Sequence, residues 1–163
     1  MSQLALLGGP KTKRKPFPAW PQYDENERRA LNEVLESRHW WRTEGTKTLE
    51  FEQAFARYHG AKHGIAVTNG TAALEVVMVA LKIGPGDEVI VPDSTFVATA
   101  SAVLFAGAMP VMVDVLPDTD CIDPDLVEAA ITPRTKAIIA VIWAGILLTL
   151  IVCAKFLRGI VFR

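Results

Sequence analysis

The chain has 163 residues, half of them hydrophobic, and a formal charge of −1. This length suffices for one domain with a real core. The near-neutral charge argues against an electrostatic binder of nucleic acid or of anionic membranes.

Residues 1–20 read as an N-terminal arm. "LALLGG" is too short for a secretory signal and its basic residues follow rather than precede it. The basic run at 11–15 reads as solvated. Cys121 and Cys153 lie far apart in unlike contexts, so neither a disulfide framework nor a CxxC site is indicated, and a cytoplasmic setting fits.

"DENERRALNEVLES" predicts a helix with Asp24 as cap, Glu27 at the capping-box position, and Leu31, Val34 and Leu35 on one face. "TKTLEFEQAFARYHG" predicts a second, with Phe51, Ala54, Phe55 and Tyr58 at helical spacing and Gly60 as the stop. Between them, Trp40, Trp41 and Arg42 either border a substrate pocket or pack an entry loop. His59 and His63 stand four apart, but Gly60 breaks the helix that would align them on a metal.

The pattern then changes. "GIAVT", "EVIV", "PVMVDV" and "KAIIAVI" are short apolar runs, and helix-length segments alternate with them. The last of those segments has Asp123 as cap and Pro124 at the first helical position. The alternation predicts an α/β fold, with strands at 65–67, 89–91, 111–113 and 138–142 in a parallel-rich sheet. Helices on both faces and right-handed crossovers follow from the same rules. Asp87 and Glu88 read as part of a solvated turn, and Asp114 as a cap or loop contact at a strand end.

Asn69-Gly70 is a hairpin signal by itself. A hairpin needs a β-run directly afterwards, whereas "TAALEVVMVALK" favours a helix to about Lys82, closed by Gly84-Pro85-Gly86. The pair is therefore a strand-to-helix elbow. Its first amides, with Gly70 allowing close approach and the Thr71 hydroxyl adding a donor, form a phosphate-sized cup. The other reading is a capped turn that serves only its own helix.

Taken in order, "FPAWPQYDENERRAL", "HWWR", "FEQAFARYHGAKHGIAVTNGTAALE", "GPGDEVIVPDSTFVATASAVLFAGAMPVMVDV" and "DPDLVEAAITPRTKAII" resemble the DegT/DnrJ/EryC1/StrS family. These are fold type I aminotransferases dependent on pyridoxal 5'-phosphate (PLP). The "FPAWPQYDE…WWR" opening is most similar to the 3-amino-5-hydroxybenzoate synthase and aminocyclitol branch. The resemblance runs from about Pro16 to Ile139 and implies a partial large domain at 21–142. It implies PLP as cofactor, a keto-sugar or cyclitol acceptor, an amino-acid donor and a homodimer. It also implies that Gly70, Thr71 and Ala72 hold the cofactor phosphate and that Phe96, beside the predicted cap Thr95, stacks on the pyridine ring.

By the same resemblance, the cofactor-binding lysine and the acid that faces the pyridine nitrogen lie downstream of "KAIIAVI". No counterpart is recognisable in "WAGILLTLIVCAKFLRGIVFR", and Lys155 lacks an acidic or polar partner nearby in sequence. No catalytic residue is therefore assigned, and the 163 residues alone are expected to be inactive. Three classes stand: a sugar or aminocyclitol aminotransferase represented by its N-terminal part; a non-catalytic remnant that binds a phosphate-bearing cofactor weakly or joins a complete paralogue; and a membrane-tethered fragment. Residues 143–163 read as an apolar, helical tail. The roughly twelve apolar residues from Trp143 are too few for an ordinary membrane span.

Overall fold

Capping and periodicity place the helices where the sequence suggests. The computed structural model describes residues 3–142, and the chain divides into two compact units, Met1–Ala66 and Val67–Arg163. The predicted tail, including Lys155, lies outside the described residues.

In the first unit, α1 spans Glu25–Ser37 and α2 spans Lys47–Tyr58. The Asp24 carboxylate accepts the Asn26 amide at 2.7 Å, and Glu27 accepts the Asp24 amide at 2.8 Å. This reciprocal cap satisfies two otherwise orphaned donors. Beyond α2, Gly60 takes φ +63° and lets the Ala61 amide return to the Ala56 carbonyl at 2.9 Å.

The packing of α2 differs from its predicted face. Phe51, Phe55 and Tyr58 are exposed, and the buried residues are Glu52 and Ala56. Glu52 is held in two ways. Arg42 forks onto it through Nε at 3.2 Å and Nη2 at 2.9 Å, and the Ala66 amide donates to Oε1 at 2.9 Å. These donors keep its carboxyl below the usual carboxylate range, the Arg42 bond foremost. Gly64 allows the approach: a Cβ there would stand 2.5 Å from the Glu52 carbonyl oxygen.

The second unit is an α/β layer. Its elements are α3 (Gly70–Ala80), β1 (Glu88–Pro92), α4 (Ala98–Phe105), β2 (Met109–Val113), α5 (Pro124–Ala130) and β3 (Thr135–Ile138). The sheet is parallel, in the order β2-β1-β3, with Ile90 level with Val111 and Ile138. β1 is buried throughout, as expected of a central strand covered on both faces. Val89 and Val91 pack with Met78, Ile83, Val103 and Ala108, on the side of α3 and α4. Ile90 packs on the other side, with Val113, Ile122 and Val127. Burying each of these β1 side chains contributes about 1.5–3 kcal/mol.

Four expectations are corrected. Residues 65–67 form no strand. All three lie in irregular chain, and Ile65 is 73% exposed. An apolar run becomes a strand only when a neighbour accepts its backbone bonds. β3 starts earlier than predicted, at Thr135, and its ladder ends with the Ile139 amide on the Ile90 carbonyl at 2.9 Å. Thr95 does not cap α4. That cap is Val97, with no side-chain bond, while the Thr95 hydroxyl meets the Thr99 hydroxyl at 2.9 Å.

The fourth concerns Glu88, which is buried in β1 rather than solvated. The Thr132 hydroxyl donates to Oε2, and Arg134 donates to Oε1 through Nη2 and, at 2.9 Å, through Nε. Thr132 first and Arg134 second hold this carboxyl below its ordinary value. The cluster ties the start of β1 to the turn that enters β3.

Candidate functional site

Asn69 sets the geometry of the elbow. Its backbone is extended (φ −166°, ψ 174°), its carbonyl accepts the Ala73 amide at 3.1 Å, and its side-chain Oδ1 accepts the Ala72 amide at 2.9 Å. The Ala72 donor is therefore engaged by the cap. The Gly70 and Thr71 amides precede the first intrahelical bond and have no acceptor within α3.

Two features leave this end open to an anion. A Cβ built on Gly70 would meet nothing within 4 Å. The first turn of α3 carries no acidic residue, whereas Glu25 and Glu27 stand in the first turn of α1 and Asp125 in that of α5. The helix dipole and the Gly70 and Thr71 amides, which have no acceptor within α3, therefore stand beside an uncrowded backbone at Gly70 and a first turn without acidic residues.

The topology carries Phe96 to the same edge of the sheet. α3 ends beside the turn into β1, where the Ile83 amide bonds the Met78 carbonyl. Its N-terminus therefore lies toward the end at which β1 emits the loop to α4. Phe96 sits in that loop and is 71% exposed, so it is not a core residue of the described unit. Asp114, after β2 at this edge, accepts the Val115 amide at 2.7 Å, which is a local loop contact.

Arg42, singled out by sequence, is committed to Glu52. Trp40 and Trp41 line a pocket of the first unit. Sequence reading missed the Glu52–Arg42 and Glu88–Arg134 pairs. The available signal was an arginine in the turn before each element, Arg42 before α2 and Arg134 before β3.

The DegT/DnrJ/EryC1/StrS aminotransferase family matches residues 21–154. The chain is 49% identical over 139 residues to 3-amino-5-hydroxybenzoate synthase of Amycolatopsis mediterranei (strain S699), covering 85% of this chain and 36% of that protein. It is 46% identical to the L-glutamine:2-deoxy-scyllo-inosose aminotransferase of Streptomyces paromomycinus, covering 85% and 34%. The chain thus spans about a third of the length of the curated relatives it matches. Among solved structures, a 3-amino-5-hydroxybenzoic acid synthase superposes with a TM-score of 0.86 at 47% identity, covering 89% of this chain and 38% of that one. NtdA from Bacillus subtilis, with bound cofactor PMP, superposes with a TM-score of 0.78 at 37% identity, covering 83% and 31%. The sheet order, the capped elbow and a match over most of the sequence agree: this chain belongs to the DegT/DnrJ/EryC1/StrS aminotransferase family.

Proposed function

We propose that the chain is the N-terminal part of a PLP-dependent aminotransferase that moves an amino group from an amino acid to a keto-sugar or keto-cyclitol. The observation that carries this reading is the α3 elbow, where the Gly70 and Thr71 amides have no acceptor within α3 and a Cβ on Gly70 would meet nothing within 4 Å.

PLP, when bound, supplies the electron sink for amino transfer. The chain's own residues position it. The Gly70 and Thr71 amides donate to its phosphate and the Thr71 hydroxyl adds a third donor. Ala72 contributes its amide by exchanging its bond to Asn69. Phe96 offers an exposed aromatic face to the pyridine ring.

In this reading the cofactor-binding lysine and its acidic companion belong to the two-thirds of the relatives' length that these residues do not match. The 163 residues alone then bind the cofactor weakly and do not transaminate. The proposal includes a homodimer and a cytoplasmic setting.

Equilibrium dialysis against PMP, which has no aldehyde to react with stray lysines, tests it. Binding that inorganic phosphate displaces is expected. PMP retention indifferent to phosphate, or borohydride trapping of PLP on Lys155 with turnover of an amino donor, would refute it.

A further inference from the structure

The formal charge of −1 conceals an uneven distribution. Residues 1–20 contain Lys11, Lys13, Arg14 and Lys15 and none of the chain's 18 acidic side chains, which leaves the rest of the chain at −5. Among the described residues, none of these four cations pairs with a carboxylate. The family match begins at residue 21, so the basic run lies outside the residues that define the aminotransferase. Four crowded cations repel one another until an anionic surface meets them.

Apolar side chains bracket this run. The Leu7 amide closes a turn on the Leu4 carbonyl at 2.9 Å, yet Leu4, Leu6 and Leu7 all stay exposed, Leu6 at 94%. On the other side Phe17 is 79% exposed, and Lys13 Nζ stands 3.1 Å from its ring centroid. A cation and an aromatic ring are thus presented together. Pro10, Pro16 and Pro18 keep the intervening chain out of helix and strand, and no residue of 3–20 is buried. The arm has no core of its own in which to hide its leucines, and leaving them in water is unfavourable.

We infer that residues 3–20 attach the chain to the surface of an anionic lipid bilayer. Leu4, Leu6, Leu7 and Phe17 enter the boundary between headgroups and acyl chains, and the four cations face lipid phosphates. Either signal alone gives marginal binding, whereas the two together give a stable peripheral attachment. Each cation near the surface strengthens it by about 5-fold. The acidic remainder of the chain is repelled by the same surface, so the arm is the part that approaches it. A nucleic acid would satisfy the cations and leave the leucines in water; a bilayer accounts for both. The apolar stretch is far too short to span, so the arm lies on the membrane.

Co-sedimentation of the full 163-residue chain with vesicles tests this, comparing phosphatidylcholine alone with equal parts of phosphatidylcholine and phosphatidylglycerol. We expect attachment to the anionic vesicles only, weakened by added salt. Joint Lys11→Gln, Lys13→Gln, Arg14→Gln and Lys15→Gln should lower it at least about 100-fold. Leu6→Ser with Leu7→Ser, at unchanged charge, should lower it about 10-fold. Circular dichroism should be the same for all variants, because no arm residue is buried. No attachment to the anionic vesicles, equal attachment to phosphatidylcholine alone, or indifference to either set of substitutions overturns the inference. Binding to duplex DNA as tight as to the anionic vesicles at the same salt marks a general polyanion arm and overturns it too.

Discussion

Asn69 Oδ1 accepts the Ala72 amide at 2.9 Å, so the residue that caps α3 also decides which amides stay available at its tip. Removing that acceptor costs stability first. Asn69→Ala is expected to destabilise the chain by about 1 kcal/mol, read as a lower midpoint in urea unfolding. An unchanged midpoint would mean that the cap contributes nothing to the fold.

Gly70 and Gly64 should respond in opposite ways to a side chain. At Gly70 a Cβ meets open space, so Gly70→Val leaves the unfolding midpoint nearly unchanged while PMP affinity falls by at least about 10-fold. At Gly64 a Cβ meets the Glu52 carbonyl at 2.5 Å, so Gly64→Ala destabilises by about 1–3 kcal/mol through a forced backbone shift. Parallel unfolding and dialysis on the two variants check both halves.

Phe96 is 71% exposed. Phe96→Ala should therefore alter stability by no more than about 0.5 kcal/mol, yet lower PMP affinity by about 3- to 10-fold through the lost ring contact. A large loss of stability would return Phe96 to a purely structural role.

Acid should weaken the two buried carboxylate clusters. Glu52 and Glu88 are both held below their ordinary value of 4.5. The folded chain therefore binds fewer protons than the unfolded chain, and stability rises with pH. The contribution is complete above the unfolded value, declines as pH falls below about 4.5, and is gone once pH passes below the depressed folded values. Thermal melts should show Glu88→Gln and Thr132→Val less stable than wild type at pH 7, with the gap closing for Glu88→Gln in acid. A gap that stays constant to pH 3 would contradict this account of Glu88.

What the sequence made legible was local. The Asp24 and Asp123 caps, the Gly60 stop and the helix after Asn69-Gly70 depend on a few adjacent residues, and each formed as expected. The central strand β1 was legible because Val89, Ile90 and Val91 are apolar on both faces. Features that depend on distant partners were not. Glu88 becomes a buried anchor only through Arg134, 46 residues later. Residues 65–67 have strand composition, but composition supplies no neighbouring ladder. In α2 the Phe51–Phe55 side was the stronger apolar signal, yet burial followed the Glu52 bonds to Arg42 and Ala66. At the elbow, the residue order showed that a helix rather than a hairpin follows Asn69-Gly70. It did not show that Asn69 holds the Ala72 amide, because that depends on a side-chain rotamer.

The most direct measurement is a PMP titration followed by amide ¹H–¹⁵N correlation NMR. The account predicts that the Gly70 and Thr71 amide resonances move first and furthest, that Ala72 follows as its bond to Asn69 is exchanged, and that inorganic phosphate alone reproduces part of the shift. A titration in which those amides stay fixed while resonances elsewhere move would contradict the assignment of the elbow as the cofactor-phosphate site.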